Sequence, residues 1–373
     1  MKFGSCLTAA MMAAALGACA PTTQRPEVDA KSLRTETNQQ YALLLQNHLE
    51  QRSLFDGVVH RLSVAASDFC DARINWRTGF LTLSTDDVNG AAGKLLATAY
   101  PGLSSTPMVI SVTRGSAAER AGLKTGDLVT AMGGFPIPAT KSFLESTSAR
   151  FNRATNAPIT LAIRRGDQTS DLVITPERAC DYPSNIIVDS SMNAFATEKD
   201  INVQTGMLDF LKSEEELALI MGHELAHSLR KHGGMGAKGG NMVAGQVAGG
   251  VLDVIAALGG VNTGGYFSKS GGAMARNINS QDYENEADYV GLYIMARAGY
   301  TIDDAPKVWR RMAVSDPSSI SHATTHPTAP ERFVNLNATI QEIRNKQAAG
   351  LPLIPNEQPK AVETPKAPAV GNP

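Results

Sequence analysis

The chain has 373 residues, a length that accommodates about two domains with cores of their own. Hydrophobic residues make up 43% of it and charged residues 19%, which is ordinary for a soluble globular protein. The formal net charge of −2 provides no basic surface for nucleic acid, so a nucleic-acid partner is excluded.

The first residues have the pattern of a signal peptide. Lys2 precedes an alanine-rich apolar run that closes in "LGAC" at Cys19. This tetrapeptide resembles a bacterial lipobox, which implies that residues 1–18 are removed, that Cys19 is lipidated, and that 19–30 form a lipidated linker. Ala20, in place of an aspartate, favours the outer membrane, with the protein on its periplasmic face. The alternative is a transmembrane anchor, but the apolar run is too short to span a bilayer comfortably.

The next segment, residues 31–70, is predicted to be helical. Leucines recur at helical spacing between residues 31 and 66, so we expect a leading helix that packs on the domain of residues 181–345. Cys70 closes this segment, and Cys180 is the other cysteine left after residue 19. In an oxidising compartment we expect the two to pair and to enclose the stretch between them.

Residues 71–180 are rich in strand and turn signals. The stretch "TPMVISVTRGSAAERAGLKTGDLVTAMGGFPI" predicts a strand, a short helix over 116–121, a turn at Gly126 and a hairpin at Gly133, and "PITLAIRRGDQTSDLVITPE" adds two strands. The segment "SAAERAGLKTGD" resembles the core of a PDZ domain, which implies binding of extended peptides by strand addition. The candidate carboxylate-binding loop, 101–103, is weak, so a purely structural or regulatory role stays open.

The stretch "SEEELALIMGHELAHSLRKHG" predicts a helix that presents two histidines on one face. Ser213 and Glu216 form a capping-box pattern, apolar residues follow at helical spacing, and a glycine pair ends the pattern. Because His223 and His227 are four residues apart, both imidazoles can bind one metal ion. Glu224 lies beside them, where it can polarise a water without being a ligand. The alternative is an ordinary helix with two hydrogen-bonded histidines.

The stretch 233–275 is rich in glycine. Residues 234–239 match G-x-G-x-x-G but follow a helix rather than a strand, so a nucleotide site is rejected. Residues 241–261 are apolar enough to suggest membrane contact. However, Gln246, Asp253 and five glycines favour a loosely packed helix that covers a cleft.

A second amphipathic helix is predicted over "SQDYENEADYVGLYIMARAGY", ending at Gly299. Glu284 and Asp288 are four residues apart on it, so one carboxylate can bind a metal while the other orients a ligand histidine. A catalytic zinc needs three protein ligands and one open position, and this helix can supply the third ligand. The alternative is a solvated acidic face.

Three motifs together resemble a known family. The segments "HELAH" (223–227), "ENEAD" (284–288) and "THPTAPERF" (325–333) resemble the zinc metallopeptidases, of gluzincin type, that include the CAAX prenyl endopeptidase, HtpX and BepA. The resemblance covers residues 185–340. It begins near 193–211, where the family has a cleft-edge strand and a hairpin before the active-site helix.

This resemblance implies one zinc ion per chain, with His223, His227 and Glu284 as ligands and Glu224 as general base. Asp288 becomes the carboxylate behind a ligand, a residue sometimes described in the family as a proton donor.

The resemblance adds three more residues to the site. His232 and Arg332 are expected to support the ligands from behind. His326 is expected to donate a hydrogen bond to the oxyanion of the reaction. Two alternatives stay open: His326 is a fourth metal ligand that keeps the enzyme latent, or an ordinary loop histidine.

The sequence therefore predicts an α+β protein. A zincin-type metallopeptidase domain, mainly helical with a small sheet, occupies residues 181–345, with an inserted PDZ-like β-rich domain before it and a disordered proline-rich tail at 346–373. The predicted function is a zinc-dependent endopeptidase that acts on periplasmic proteins, with misfolded envelope proteins as substrates by family analogy. The alternative is a chaperone-like or peptide-binding lipoprotein with a structural or latent zinc site.

Overall fold

The computed structural model describes residues 23, 26–87, 96, 100–137, 156–197, 199–232, 281–315 and 330–357. The helices in these ranges are α1 (Ala30–Ala65), α2 (Ala117–Arg120), α3 (Thr205–Phe210), α4 (Glu214–Leu229), α5 (Gln281–Arg297), α6 (Ala305–Ser315) and α7 (Pro330–Ala348). The strands are β1 (Ile74–Arg77), β2 (Phe80–Leu83), β3 (Met108–Val112), β4 (Leu128–Met132), β5 (Phe135–Pro136), β6 (Ile159–Arg165), β7 (Gln168–Ile174), β8 (Glu177–Cys180), β9 (Ser184–Ile187), β10 (Ala194–Ala196) and β11 (Ile201–Gln204).

Several predictions fall outside the described residues: the signal peptide and Cys19, the glycine-rich stretch 233–275, and His326. Among the helices that are described, none is both long and apolar enough to cross a bilayer.

The largest core unites helices α1, α4, α5, α6 and α7 with a small sheet. The sheet has the order β10-β11-β9, in which β11 is antiparallel to β10 and parallel to β9. The hairpin expected before the active-site helix is thus present as β10 and β11. Phe55, Leu217, Val290, Tyr293 and Trp309 are among the side chains buried where these elements meet. This part is mainly helical with a small sheet.

A second core belongs to a six-stranded sheet in which β2, β3, β4, β6 and β7 are neighbours in that order and β5 pairs with β4. Val109, Leu161 and Ile163 lie in this core beside α2. The turns form where the sequence places glycine, since Gly126 (φ +92°) and Gly133 (φ +58°) take a left-handed backbone that other residues resist. The predicted fold class, α+β with an inserted PDZ-like domain, is confirmed.

Helix α1 contacts both cores. Its N-cap is Asp29, whose carboxylate accepts hydrogen bonds from two backbone N–H groups of the first turn. The C-terminal half of the helix packs in the core of the helical part, as predicted. Leu45 and Leu49, nearer the middle, pack against Leu83 and Leu103 of the PDZ-like domain. The contact of α1 with the PDZ-like domain was not predicted, because leucines at helical spacing indicate that a helix face is buried but not which surface it packs against.

The two strands that enclose the PDZ-like domain, β1 and β8, pair antiparallel. A disulfide joins Cys70 to Cys180, with Cα atoms 5.8 Å apart and a sequence separation of 110. Cys180 lies opposite Ile74 in the strand pair. The chain therefore leaves the helical part near Cys70 and returns to it near Cys180, and the disulfide joins these two positions.

The carboxylate of Glu177, close to this disulfide, links strand β8 to helices α1 and α2. Glu177 of β8 lies 3.2 Å from Nε2 of His60 on α1, accepts a hydrogen bond from Arg120 at 2.7 Å, and accepts another from the backbone N–H of Ala117 at 3.0 Å. Burial alone would raise the pKa of Glu177, but its hydrogen bonds to His60 and Arg120 bring the pKa down to about 2.

The prediction of a disordered tail over 346–373 is wrong for its first part. Helix α7 continues to Ala348, and residues 349–357 are in place beyond it. The backbone N–H of Asn356 donates to the hydroxyl of Tyr289, and the Lys346 ammonium donates to the carbonyl of Ile354. These specific bonds hold a segment that the predicted domain boundary assigned to the disordered tail. Residues 358–373 lie outside the described part.

Candidate metal centre

Helix α4 begins as its sequence predicts. The Ser213 hydroxyl accepts a hydrogen bond from the N–H of Glu216, and the Glu216 carboxylate accepts one from the N–H of Lys212. The helix ends at Leu229, however, several residues before the glycine pair that was expected to stop it. Lys231 adopts a positive φ of 59°, so the chain leaves the helical path there and His232 folds back toward the helix.

A pair of glycines brings helices α4 and α5 together. A Cβ atom built on Gly291 would lie 3.1 Å from the backbone of Gly222, closer than side chains normally allow. The two backbones therefore approach closely at this crossing. Gly222 directly precedes His223, so the crossing places the histidine helix against the carboxylate helix.

Three side chains converge where these helices meet. Nε2 of His223 lies 3.3 Å from one carboxylate oxygen of Glu284, Nε2 of His227 lies 3.2 Å from the other, and the two Nε2 atoms are 3.0 Å apart. All three residues are buried, with at most 3% of their surface exposed. Within the described residues they form the one cluster suited to a metal ion.

This cluster fits zinc. Donors bound to one zinc at about 2.0–2.2 Å in tetrahedral geometry lie roughly 3.3 Å from one another, which is close to the separations observed. Two imidazoles and a carboxylate are also a ligand set of catalytic zinc sites, which leave a fourth position open. A carboxylate offsets part of the charge of a buried cation, whereas an apolar pocket would not.

Asp288 and Arg332 hold His223 from behind. Nδ1 of His223 lies 2.9 Å from Asp288, and the Arg332 guanidinium donates two hydrogen bonds to the same carboxylate at 2.6 and 2.8 Å. Arg332 is fully buried and stacks on Trp309 with its Cζ 3.6 Å from the ring. The ring of Trp309 in turn contacts that of His223 edge-on.

The pKa values of His223 and Asp288 depend on the residues that contact them. Burial alone would lower the pKa of His223, but hydrogen bonds to Asp288 and Glu284 raise it to about 9, so a metal bound there has to displace a proton. Burial alone would raise the pKa of Asp288, but the adjacent Arg332 guanidinium brings it below its usual range. Asp288 is thus an ionised acceptor that orients His223. The catalytic role of Asp288 as a proton donor, implied by the family resemblance, stays a prediction.

His227 has a support of its own. Its Nδ1 lies 2.9 Å from Nδ1 of His232, whose Nε2 lies 2.8 Å from the carboxylate of Glu286. The His232 ring stacks on Tyr283, with centroids 4.5 Å apart. Burial lowers the pKa of His227, which favours the neutral ring that a metal requires.

Glu224 lies on the same helix and is buried, with 2% of its surface exposed. It directly follows His223 on helix α4, and it acts to raise the pKa of both His227 and Arg332. His326, the remaining predicted site residue, lies outside the described residues.

Two residues of the site were missed from the sequence. Trp309 belongs to no motif. Glu286 lies inside the "ENEAD" motif, but the motif gives it no role, because its contact with His232 depends on the bend at Lys231. The glycine pair Gly222 and Gly291 was also unremarked, although a glycine inside a helix next to a motif residue is a signal of close helix packing.

Together, the mainly helical fold and the buried His-His-Glu cluster define a zincin-type metallopeptidase domain. Residues 166–340, just under half of the chain, match the model of Peptidase family M48.

Known proteins similar to this chain include a mitochondrial metalloendopeptidase OMA1 of Schizosaccharomyces pombe, 27% identical over 169 residues, which are 44% of this chain and 48% of the relative. A Vibrio cholerae protein provisionally named beta-barrel assembly-enhancing protease is 28% identical over 165 residues, 40% of this chain and 33% of the relative. The chain thus spans less than half the length of either relative. A crystal structure of the HtrA3 PDZ domain bound to a phage-derived ligand is 24% identical, with a TM-score of 0.22, over 28% of this chain and 88% of that one.

Proposed function

We propose that this protein is a zinc-dependent endopeptidase that acts on proteins in the bacterial periplasm, in the quality control of envelope proteins. Its zinc ligands are His223, His227 and Glu284, and its general base is Glu224. The observation that carries the proposal is the convergence of two imidazole nitrogens and a carboxylate within 3.0–3.3 Å in a buried site.

Each residue of the site has a separate role in peptide hydrolysis. A bound zinc ion supplies Lewis acidity toward a water and toward the carbonyl of the scissile bond. Glu224 accepts the proton that the attacking water gives up and delivers it to the leaving amine. Asp288, held by Arg332, keeps His223 oriented with Nε2 toward the site. His326 donates a hydrogen bond to the oxyanion, a role that rests on the family resemblance.

The cellular location is proposed from the first residues. The "LGAC" tetrapeptide supports lipidation of Cys19 and attachment to the outer membrane, and the Cys70–Cys180 disulfide suits an oxidising compartment. The substrates proposed are misfolded envelope proteins, in keeping with the name of the Vibrio cholerae relative. The PDZ-like domain is a candidate for engaging extended segments of these substrates.

The test compares wild type with Glu224→Gln in two measurements, zinc content and cleavage of unfolded casein. Glu224 acts on water and not on the metal, so the variant is expected to retain zinc and to lose cleavage. His223→Ala and Glu284→Ala are expected to lose both. Full cleavage by the Glu224→Gln variant would contradict the peptidase assignment.

A second candidate function is a chaperone-like or peptide-binding lipoprotein in which zinc is structural or latent. The PDZ-like domain favours it, because such domains bind peptides without cleaving them. Zinc-loaded wild type that suppresses aggregation of casein but leaves every peptide bond intact would support this candidate. A structural zinc would also have four protein ligands and no open position.

A further inference from the structure

The two ligand histidines are supported in different ways. His223 is backed by the buried ion pair of Asp288 and Arg332. His227 is backed by a second imidazole, His232, and through it by Glu286, whose side chain is 45% exposed. The contact of Asp288 with His223 is the common arrangement, in which a carboxylate accepts a hydrogen bond from a metal-bound histidine. For His227, the His232 ring lies between the ligand histidine and the carboxylate of Glu286.

The positions of the protons in this second chain follow from the ligand role of His227. For Nε2 of His227 to face a metal it must carry no proton, so the proton of the neutral ring is on Nδ1. That N–H can donate only to an unprotonated Nδ1 of His232, which lies 2.9 Å away. His232 then carries its own proton on Nε2, which is 2.8 Å from the Glu286 carboxylate. Each ring N–H in this hydrogen-bond chain thus has one acceptor.

The backbone and a stacking partner keep His232 in this place. The positive φ of Lys231 turns the chain out of helix α4, and Tyr283 packs flat against the His232 ring at an interplanar angle of 15°. Tyr283 and Glu286 both lie on helix α5, the helix that also carries Glu284. One helix thus provides a metal ligand directly and positions another through His232.

We propose that His232 and Glu286 are positioning residues that fix the tautomer and orientation of His227 as a zinc ligand, through the hydrogen-bond chain His227–His232–Glu286. This inference rests on the proposed zinc centre and deepens it. It assigns a role in metal binding to Glu286, a partly exposed residue that is not one of the three proposed ligands.

The experiment measures zinc affinity by competition with a chromophoric chelator, and the thermal unfolding midpoint of the chelator-treated protein. His232→Phe keeps a ring to stack on Tyr283 but removes the acceptor for His227, and its affinity is expected to fall about 10- to 100-fold. Glu286→Leu removes the far end of the chain and is expected to weaken binding in the same direction. Glu286→Gln keeps an oxygen that can accept a hydrogen bond from His232. Its zinc affinity is therefore expected to lie much closer to the wild-type value than that of Glu286→Leu.

Glu357→Gln is the matched control. Glu357 pairs with Arg230, as Glu286 does, but it has no bond to His232, so zinc affinity is expected to stay at the wild-type value. The unfolding midpoints of all four metal-free variants are expected to stay close to that of wild type.

A ring that only filled space would be replaced by phenylalanine without loss of zinc affinity. Wild-type affinity in His232→Phe would therefore overturn the proposal. If that variant does not fold, Glu286→Leu decides alone, because a partly exposed glutamate tolerates substitution: unchanged affinity overturns the proposal and reduced affinity supports it. A wild-type protein that binds no zinc would instead contradict the proposed function.

Discussion

Replacement of Arg332 by methionine tests whether the buried ion pair holds the site together. Arg332 is fully buried, donates two hydrogen bonds to Asp288, and stacks on Trp309. Methionine fills much of the same volume but removes the guanidinium, so that the buried carboxylates of Asp288 and Glu284 lose one cationic neighbour and keep only the His223 imidazole as a shared one. Breaking a buried pair in this way typically costs about 3–5 kcal/mol of unfolding free energy.

The expected loss can be measured by urea unfolding of chelator-treated protein, followed by the helical circular dichroism signal. Arg310→Met is the matched control, because the Arg310 guanidinium stacks on Phe333 from an exposed position. Its loss should cost about 1 kcal/mol or less. Asp288→Asn combined with Arg332→Met removes both charges and should be more stable than Arg332→Met alone. The same unfolding free energy in Arg332→Met and in Arg310→Met would refute the reasoning.

The remaining predictions concern other parts of the chain. Replacing Cys70 and Cys180 together by serine should lower the unfolding free energy by roughly 4–5 kcal/mol, less any strain, because the link closes a loop with a separation of 110 residues; two free thiols found by mass spectrometry in periplasmic protein would contradict this. Cys19→Ser should move the protein from the membrane fraction to the soluble periplasm or leave its signal uncleaved, since stable attachment needs more than one acyl chain. Glu177→Gln should cost roughly 1 kcal/mol at pH 7 after allowance for solvent screening. Because the folded-state pKa of Glu177 is depressed from 4.5 to about 2, this contribution should shrink as the pH falls below 4.5, and an equal cost at pH 7 and pH 3.5 would contradict it. His326→Ala should keep zinc but lose about 100-fold in casein turnover if it serves the oxyanion, whereas a rise in turnover would indicate a latch and no change an ordinary loop residue.

The local chemistry of the candidate site could be predicted from sequence because it depends on short spacings. The four-residue spacing of His223 and His227, and of Glu284 and Asp288, puts each pair on one face of a helix whatever the rest of the fold does. The start of helix α4, directly after its N-cap Ser213, could be predicted for the same reason, since a capping box is local.

The supports behind the ligands could not be predicted in the same way. The stacking of Arg332 on Trp309 joins α7 to α6, and no spacing along the chain encodes that contact. The contact between His227 and His232 needs a positive φ at Lys231, a conformation that a lysine gives no reason to expect. The order of residues 349–357 depends likewise on tertiary hydrogen bonds that composition does not report.

The most direct test of the central claim is anomalous diffraction from crystals of zinc-loaded protein, measured on both sides of the zinc absorption edge. The account predicts an anomalous peak about 2.0–2.2 Å from Nε2 of His223, Nε2 of His227 and a carboxylate oxygen of Glu284. No anomalous peak at these three side chains, in crystals whose zinc content is verified, would contradict it.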